Sequence, residues 1–576
     1  MMCGIAGIVS SIHRDLGPLL KHMLETLHHR GPDGAGYVIG ETCQRAQDLE
    51  SLDFQDRKGN IALGHVRLAI TGGGAALQPF QTSDGRLSLT HNGEIYNYQE
   101  LCRQLNDDNS PSTGSDSEVL LRLVAQEYRG DLAETMQRVL PRLDGVYAIA
   151  VTDQHQTIIV RDKIGVRQLY YWSGRNFLAF ASEKKPLLAL GGKGVEIHRI
   201  PPGHLMVINN HCYELYPFWR PEQIRTQTHT SKRETALLAY DQAIKEAVHK
   251  RVRNEDHVGV IFSGGVDSVL IAHLVKQLGV PLTCYTAGRE DGASDLEWAH
   301  WAAERYGFTL QAKVFSTAEI DRIIPEVIRT IEDYSLNQVE VAVPIYASAR
   351  MAQEAGERVI LTGQGADEIF GGYLWYAAIV DREGYGDFVS RSWQDTFLLY
   401  KECLEREDKI SMAHGMELRV PFLDPDVIRV AFSIAPELKI EPDGDSLGKR
   451  IHREYCHSLG VPREIAFRTK EAAQHGANVH DAFEEIAESY GLTPLILERA
   501  GYDPERTLTE TLGSSSRYGH RYGRQDLWKP LPHVQFYLDS HAAEMGLLTG
   551  PPRLHWDQTR RKLAGLDLHP LEGQPE

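Results

Sequence analysis

VGVIFSGGVDSV (258–269) decides how most of this 576-residue chain folds. Its first residues form a short apolar run, the pattern of a strand buried on both faces. The run breaks at Ser263-Gly264-Gly265, and Val266-Asp267-Ser268 opens a stretch with helical spacing. A buried strand that turns through glycines into a helix is the first half of a βαβ unit. Adjacent glycines let the backbone wrap closely around an anion, and the N–H groups at a helix start point toward it. Ser263 and Ser268 can add hydroxyl donors to phosphate oxygens. Asp267 would repel a phosphate, so it makes chemical sense as a ligand to a bridging Mg²⁺. The stretch lacks the GxxxxGK[ST] of the Walker loop.

Outward from this loop the chain alternates. A helix is predicted over 233–251, strands over 281–287 and near 310–315, a helix from Asp295, helices through 317–355 and a strand over 358–362. That rhythm predicts a doubly wound parallel sheet, followed by a helical part to about residue 500. VILTGQGADEIFGGY (359–373) repeats the strand-to-glycine-loop pattern and carries Asp367 and Glu368 where open α/β sheets bind ligands. With Asp267 they could hold Mg²⁺; an acidic helix N-terminus would read the same way. AFRTKEAAQHG (466–476) supplies Arg468 and Lys470. Lys470 could neutralise charge on a departing pyrophosphate, or the pair could belong to a plain surface helix.

The first 210 residues read differently. Short apolar or alternating runs at 61–70, 87–92, 146–153, 157–162 and 169–172 are separated by Gly, Asn and Asp. KHMLETLHHR (21–30) and SEVLLRLVAQEY (117–128) have helical spacing, so helices are expected to pack on layered sheets. The boundaries read as 3–215, a polar linker over 216–232, a second domain over 233–500, and an extension over 501–576 to which no role is assigned.

A net charge of -18 argues against non-specific binding to nucleic acid or to an anionic membrane. There is no apolar run long enough to span a bilayer and no secretory signal pattern. Seven scattered cysteines without a CxxC pair favour a reduced, cytoplasmic setting over a disulfide framework or zinc site.

The N-terminal half has its own chemistry. Cys3 is followed by HHRGPDGAG (28–36), HVRLAI (65–70), HNGEIYN (91–97) and GSDSE (114–118). A terminal cysteine can use its own α-amine as base, with a pKa of about 7.7–8.0 suited to neutral pH. Amide hydrolysis needs an oxyanion hole, for which Asn92 and the Gly93 N–H are donors. Glutamine also presents an α-carboxylate that Arg67 can fork onto and an α-ammonium that Asp116 can take, with Glu94 helping to orient that end. A free amine requires Cys3 to be exposed by processing; translation from Met2 with removal of that methionine is the expected route.

CGIAG, HRGPDG, NGEIYNY, SGGVDS, GADEIFGGY and SMAHGMELRVPFLD (411–424), in this order, resemble the glutamine-dependent asparagine synthetases over roughly residues 3–480. The resemblance implies an N-terminal-nucleophile αββα sandwich followed by an ATP-pyrophosphatase domain. Cys3 would hydrolyse glutamine, with Arg67, Asn92, Gly93, Glu94 and Asp116 holding it. Ammonia would travel through an internal tunnel to an acyl-adenylate made from ATP and a carboxylate, usually that of aspartate. Phe262, Ser263, Gly264, Gly265, Ser268, Ala287, Thr362 and Gly363 would line the nucleotide site. Asp267 and Asp367 would hold Mg²⁺, and Lys470 would contact phosphate. A homodimer is usual in the family.

Two features depart from it. Gln364 stands where the family carries a glutamate credited with assisting the synthetase step, and glutamine cannot take up a proton at physiological pH. Glu340, in SLNQVEVAVPIY (335–346), is the candidate stand-in; a local pairing with Arg or Lys is the alternative. GGGAALQPF (72–80) differs where the family commonly continues with an aspartate. Rival functions are amidation of another carboxylate, ring closure as in β-lactam synthetases, and a catalytically silent binding protein. The retained Cys3 pocket favours ammonia transfer.

Overall fold

The computed structural model describes residues 3–69, 76–105, 112–192, 195–226, 229–469, 471–504, 506 and 531–564. It divides into two units, Met1–Gln227 with Phe397–Arg419, and Thr228–Thr396 with Val420–Glu576. Where the sequence suggested one run over 233–500, Phe397–Arg419 folds with the first unit instead.

The strands of the first unit are β1 (Cys3–Asp15), β2 (Ala35–Ile39), β3 (Thr42–Ala46), β4 (Lys58–Arg67), β5 (Phe80–Gln81), β6 (Ser88–Ile95), β7 (Gly145–Thr152), β8 (Gln156–Arg161), β9 (Tyr170–Ser173), β10 (Phe177–Ala181), β11 (His198–Arg199), β12 (His204–Asn209) and β13 (Cys212–Pro217). They form two sheets, ordered β11-β9-β10-β1-β4-β2-β3 and β13-β12-β8-β7-β6-β5. Ile5, Leu63, Ala148, Ile159, Phe180 and Met206 are fully buried in one shared apolar cluster contributed by both sheets. On the outer faces, the helix Gly17–Leu27 packs Leu20, Met23, Leu24 and Leu27 against the first sheet, and Asp116–Glu127 with Leu132–Val139 covers the second. This is the layered αββα sandwich the resemblance implied, with strands β1, β2, β3, β5, β10, β11, β12 and β13 added to the predicted set.

The helix Leu404–Ala413 is buried although it is strongly charged. Burying ions is costly unless each is paired. Here Asp408 accepts from Arg30 at 2.9 Å and Arg167 at 3.1 Å, and Glu405 pairs with Lys409 at 2.9 Å and Arg199 at 2.7 Å.

The second unit holds β14 (Val258–Ile261), β15 (Leu282–Arg289), β16 (Thr309–Phe315) and β17 (Val359–Leu361), ordered β16-β15-β14-β17 and all parallel. Helices Val266–Gln277, Ser294–Tyr306 and Leu336–Glu354 connect or flank them, as the alternating sequence requires. Within 501–576, Pro532–Glu544 and Gly550–Ala564 are helices. Gln535 accepts the Leu336 N–H at 3.0 Å and donates to Tyr334 O at 2.9 Å, so this extension braces the start of Leu336–Glu354. No helix among the described residues is long and apolar enough to cross a membrane.

Candidate active sites

In the first unit, β1 and β4 pair antiparallel with Cys3 opposite Arg67. Both side chains are buried, at 0% and 1% exposure. The Cys3 N–H donates to Asn92 Oδ1 at 2.9 Å. That bond turns the amide so that Asn92 Nδ2 faces away from it, and Nδ2 is buried with no protein acceptor among the described residues. A buried amide donor left open beside a nucleophile is what an oxyanion would require. Gly93 next to it has φ +148°, and a Cβ there would lie 2.0 Å from Val146 O, so no side chain fits.

Burial pushes the Cys3 thiol up to about 11, with the Arg67 charge acting against that rise. His65 and His91 are driven down by burial to about 3 and 4, which leaves both neutral at pH 7. Asp116 goes the other way. Burial raises it, but the positive charge of the chain's N-terminus and the N–H groups of Ile95 (3.0 Å) and Ser117 (2.8 Å) outweigh burial and hold it below the usual aspartate range. An anionic Asp116 suits an α-ammonium.

Glu94, expected to orient the substrate, has its carboxylate in an ion pair with buried Arg419. Arg419 also bonds Glu417 at 3.2 Å. Arg30 Nε donates to Cys3 O at 3.2 Å, while its other nitrogens pair with Glu183 at 2.8 Å and Asp408 at 2.9 Å. Neither arginine was singled out from the sequence. Both lie inside quoted motifs, Arg30 in HHRGPDG and Arg419 in SMAHGMELRVPFLD, but Arg419 is 325 residues from Glu94 and no local pattern links them. Of GGGAALQPF, residues 72–75 lie outside the described residues. Gln78 takes the His91 N–H at 2.7 Å and donates to His91 O at 3.1 Å, clamping the strand that carries Asn92.

In the second unit, β14 and β17 end side by side. Gly264 has φ +68°, and a Cβ there would meet the Trp298 backbone at 2.4 Å. A Cβ at Gly363 would come within 2.9 Å of Asp267 Cβ, so the two glycine loops touch. Asp267 and Asp367 converge on one ammonium, with Lys449 Nζ 2.7 Å from each. His452 Nε2 stands 3.0 Å from Asp267, and Tyr240 OH bonds His452 Nδ1 at 2.7 Å, fixing the ring. Lys449 was missed; it lies 182 residues from Asp267 in a stretch without a motif. Phe262 and Ala287 are buried at the ends of β14 and β15, with the Phe262 N–H on Tyr285 O at 2.8 Å.

Three expectations meet contacts here. Ser263 and Ser268 are the expected phosphate donors; Ser263 Oγ accepts the Gly265 N–H at 3.3 Å, which leaves its own O–H to donate, and Ser268 Oγ donates to Gly265 O at 3.1 Å. Arg468 is held by Asp295 and Ser294 Oγ, each at 3.1 Å, and reaches Ser263 O at 3.4 Å. Glu340 is paired, but with a histidine rather than Arg or Lys: its Oε2 lies 2.6 Å from His480 Nδ1. Thr362 Oγ1 accepts the Gln364 N–H at 3.3 Å. Lys470 lies outside the described residues.

Asp267 and Asp367 offer two hard oxygen donors already drawn around a cation, a set that fits Mg²⁺ completed by phosphate oxygens and water. Among the described residues no cluster of three or more His, Cys, Asp or Glu could hold a metal by itself.

Replacing Asn92 by alanine removes the open amide donor and the acceptor for the Cys3 nitrogen. Glutaminase kcat is expected to fall by about 10²–10³ with synthesis from free ammonia unchanged. Equal loss with both nitrogen sources would count against the oxyanion assignment.

The glutamine amidotransferase domain family matches residues 2–211, and the asparagine synthase family matches 239–399 and 383–539. A putative glutamine-hydrolysing asparagine synthetase of Methanocaldococcus jannaschii is 33% identical over 85% of this chain and 96% of its own length. The glutamine-hydrolysing asparagine synthetase of Asparagus officinalis is 30% identical over 88% of this chain and 83% of its own. A solved glutamine phosphoribosylpyrophosphate amidotransferase from B. subtilis covers 50% of this chain and 67% of its own at 24% identity, with a TM-score of 0.35. With an amidotransferase family match and an asparagine synthase family match in one polypeptide, and relatives 30–33% identical over most of their length, the chain belongs to the glutamine-hydrolysing asparagine synthetase family.

Proposed function

We propose that this enzyme converts L-aspartate, L-glutamine and ATP to L-asparagine, L-glutamate, AMP and pyrophosphate. The observation that carries the reading is the convergence of Asp267 and Asp367 on one cation position where the SGGVDS and GQGADE loops meet. Kinases and ATPases of the Walker type place a lysine in the loop itself; here two carboxylates from two strands are offered to a nucleotide's metal.

In the first unit the freed Cys3 amine takes the thiol proton, and the thiolate attacks the glutamine side-chain amide. Asn92 Nδ2 and the Gly93 N–H receive the oxyanion. Arg67 holds the α-carboxylate and Asp116 the α-ammonium. Ammonia leaves, and water releases glutamate from Cys3.

In the second unit Asp267 and Asp367 would hold Mg²⁺, which when bound neutralises charge on the ATP phosphates. The glycine loop packs the helix start of Val266–Gln277 against the phosphates. Phe262, Ala287, Thr362 and Gly363 would border the nucleotide. Lys449 and Lys470 would balance the charge of the leaving pyrophosphate. A cytoplasmic setting and a homodimer complete the reading; all seven cysteines are free, as a reducing compartment requires.

Pyrophosphate release is the test. Purified protein with ATP, Mg²⁺ and glutamine is offered aspartate, then other carboxylates in turn. Release with aspartate, matched by asparagine, is expected. Release with a different acid alone would replace aspartate as the acceptor.

A further inference from the structure

The helix Leu336–Glu354 leads into β17, which runs parallel to β14. The helix therefore runs back along the sheet, and its N-terminal end lies at the edge where the strands finish and ligands bind. Glu340 sits near that end, 3% exposed. The end is fixed in place by the Gln535 bond to the Leu336 N–H.

The turn that brings in His480 is tied to the same edge. Arg289, closing β15, donates its N–H to Ala477 O at 2.8 Å. Gly476 lies against Asp295, where an added Cβ would be 2.5 Å from the carboxylate, and Asp295 holds the Arg468 that reaches Ser263 O. His475 packs its ring 4.9 Å from that of His480. Glu340 Oε2 engages His480 Nδ1 at 2.6 Å, and the His480 side chain keeps 28% of its surface exposed. A carboxylate on Nδ1 fixes the tautomer, leaving Nε2 as the proton-accepting atom of the neutral ring. The hydrogen bond to Glu340 raises the basicity of the ring, with the charges of Glu484 and Asp481 adding to it.

The GQGADE loop supplies no comparable base. Gln364 cannot take up a proton. Asp367 is paired with Lys449. Burial and the charge of Asp367 raise Glu368 to about 7, but it is 1% exposed and receives the Tyr373 hydroxyl at 2.7 Å, so it is enclosed where the His480 ring is open.

We propose that His480 is the proton acceptor of the amide-forming step and that Glu340 is its positioning residue. The proposal rests on the asparagine-forming reading above. Ammonia attacks the acyl carbon of the acyl-adenylate and a C–N bond forms. The C–O bond to the phosphate breaks, and its electron pair leaves with AMP. One proton on the new nitrogen passes to His480 Nε2, and Glu340 holds the resulting imidazolium before water removes the proton.

Full-length wild type, His480→Gln, Glu340→Gln and Glu340→Asp are compared with aspartate, ATP, Mg²⁺ and ammonium chloride, which bypasses Cys3. Pyrophosphate and asparagine are both counted. His480→Gln is expected to release pyrophosphate within about threefold of wild type while asparagine per pyrophosphate falls about 100-fold, the low end of a general base's contribution, with the acyl-adenylate that ammonia fails to capture hydrolysed by water to aspartate and AMP. Glu340→Gln should lower the same ratio less, and Glu340→Asp should recover most of it. An unchanged ratio in His480→Gln overturns the proposal. So does a parallel fall of both products with no acyl-adenylate held on the enzyme in a quenched first turnover, or a raised aspartate KM at constant ratio, since those mark a structural or acceptor-binding role. If wild type releases no pyrophosphate with aspartate, the acceptor assignment fails instead, and the ratio is read with the carboxylate that does support release.

Discussion

Cys3→Ala is expected to abolish glutamine hydrolysis and glutamine-dependent synthesis, by about 10³-fold or more, because no second nucleophile can form the covalent intermediate. Synthesis from ammonium chloride should remain near wild type. The thiol is fully enclosed, and burial holds it protonated with a pKa of about 11. It cannot attack as a resting thiolate, so something adjacent must take its proton. The α-amine is attached to the same residue and, once freed, titrates at about 7.7–8.0. Its nitrogen is already placed by the 2.9 Å bond to Asn92 Oδ1. While that nitrogen is part of a peptide bond it has no basic lone pair. Intact-mass measurement should therefore find Cys3 first in the active protein. Full glutaminase activity with both methionines retained would overturn this account of the base. Loss of ammonia-dependent synthesis in Cys3→Ala would show that the substitution damages more than the nucleophile.

What could be read before the structure follows from how far each signal reaches along the chain. SGGVDS and GQGADE are local: a strand, a turn needing glycine at Gly264 and Gly365, and a helix start, all within a dozen residues. The glycine of NGEIYN is instead fixed by a non-local contact, the close approach of Val146 O from the paired strand β7. The parallel sheet and the sandwich were legible because apolar periodicity is repeated in strand after strand. Long-range ion pairs leave no such trace. Arg419 reaches Glu94, Asp408 reaches Arg30 and Arg167, and Lys449 reaches Asp267 across hundreds of residues. Asp408 and Lys449 lie outside any quoted motif and read as ordinary charged residues. The assignment of Phe397–Arg419 to the first unit was hidden for the same reason: a buried helix built from paired ions has the composition of an exposed one.

Lys449→Met is the other substitution with a large expected effect, and it should spare the first unit. Lys449 Nζ is 2.7 Å from both Asp267 and Asp367, so the two carboxylates are within about 5 Å of one another, where like charges repel by about 3 kcal/mol at an effective dielectric near 20. The ammonium is 1% exposed, and its residue is held in a left-handed conformation at φ +53° by the fold. Methionine keeps most of the side-chain volume and removes the charge. Pyrophosphate release is expected to fall by about 10²–10³ with either nitrogen source, through lost charge stabilisation at the leaving group. Glutamine hydrolysis should stay within about twofold of wild type, since Lys449 belongs to the second unit. The variant should also melt lower in metal-free buffer. Mg²⁺ alone should raise its melting temperature more than that of wild type, because the added cation takes over the neutralisation of Asp267 and Asp367. Near-normal pyrophosphate release would remove Lys449 from the synthetase machinery. Equal responses of the two proteins to Mg²⁺ would show that the carboxylate pair is not the metal's site.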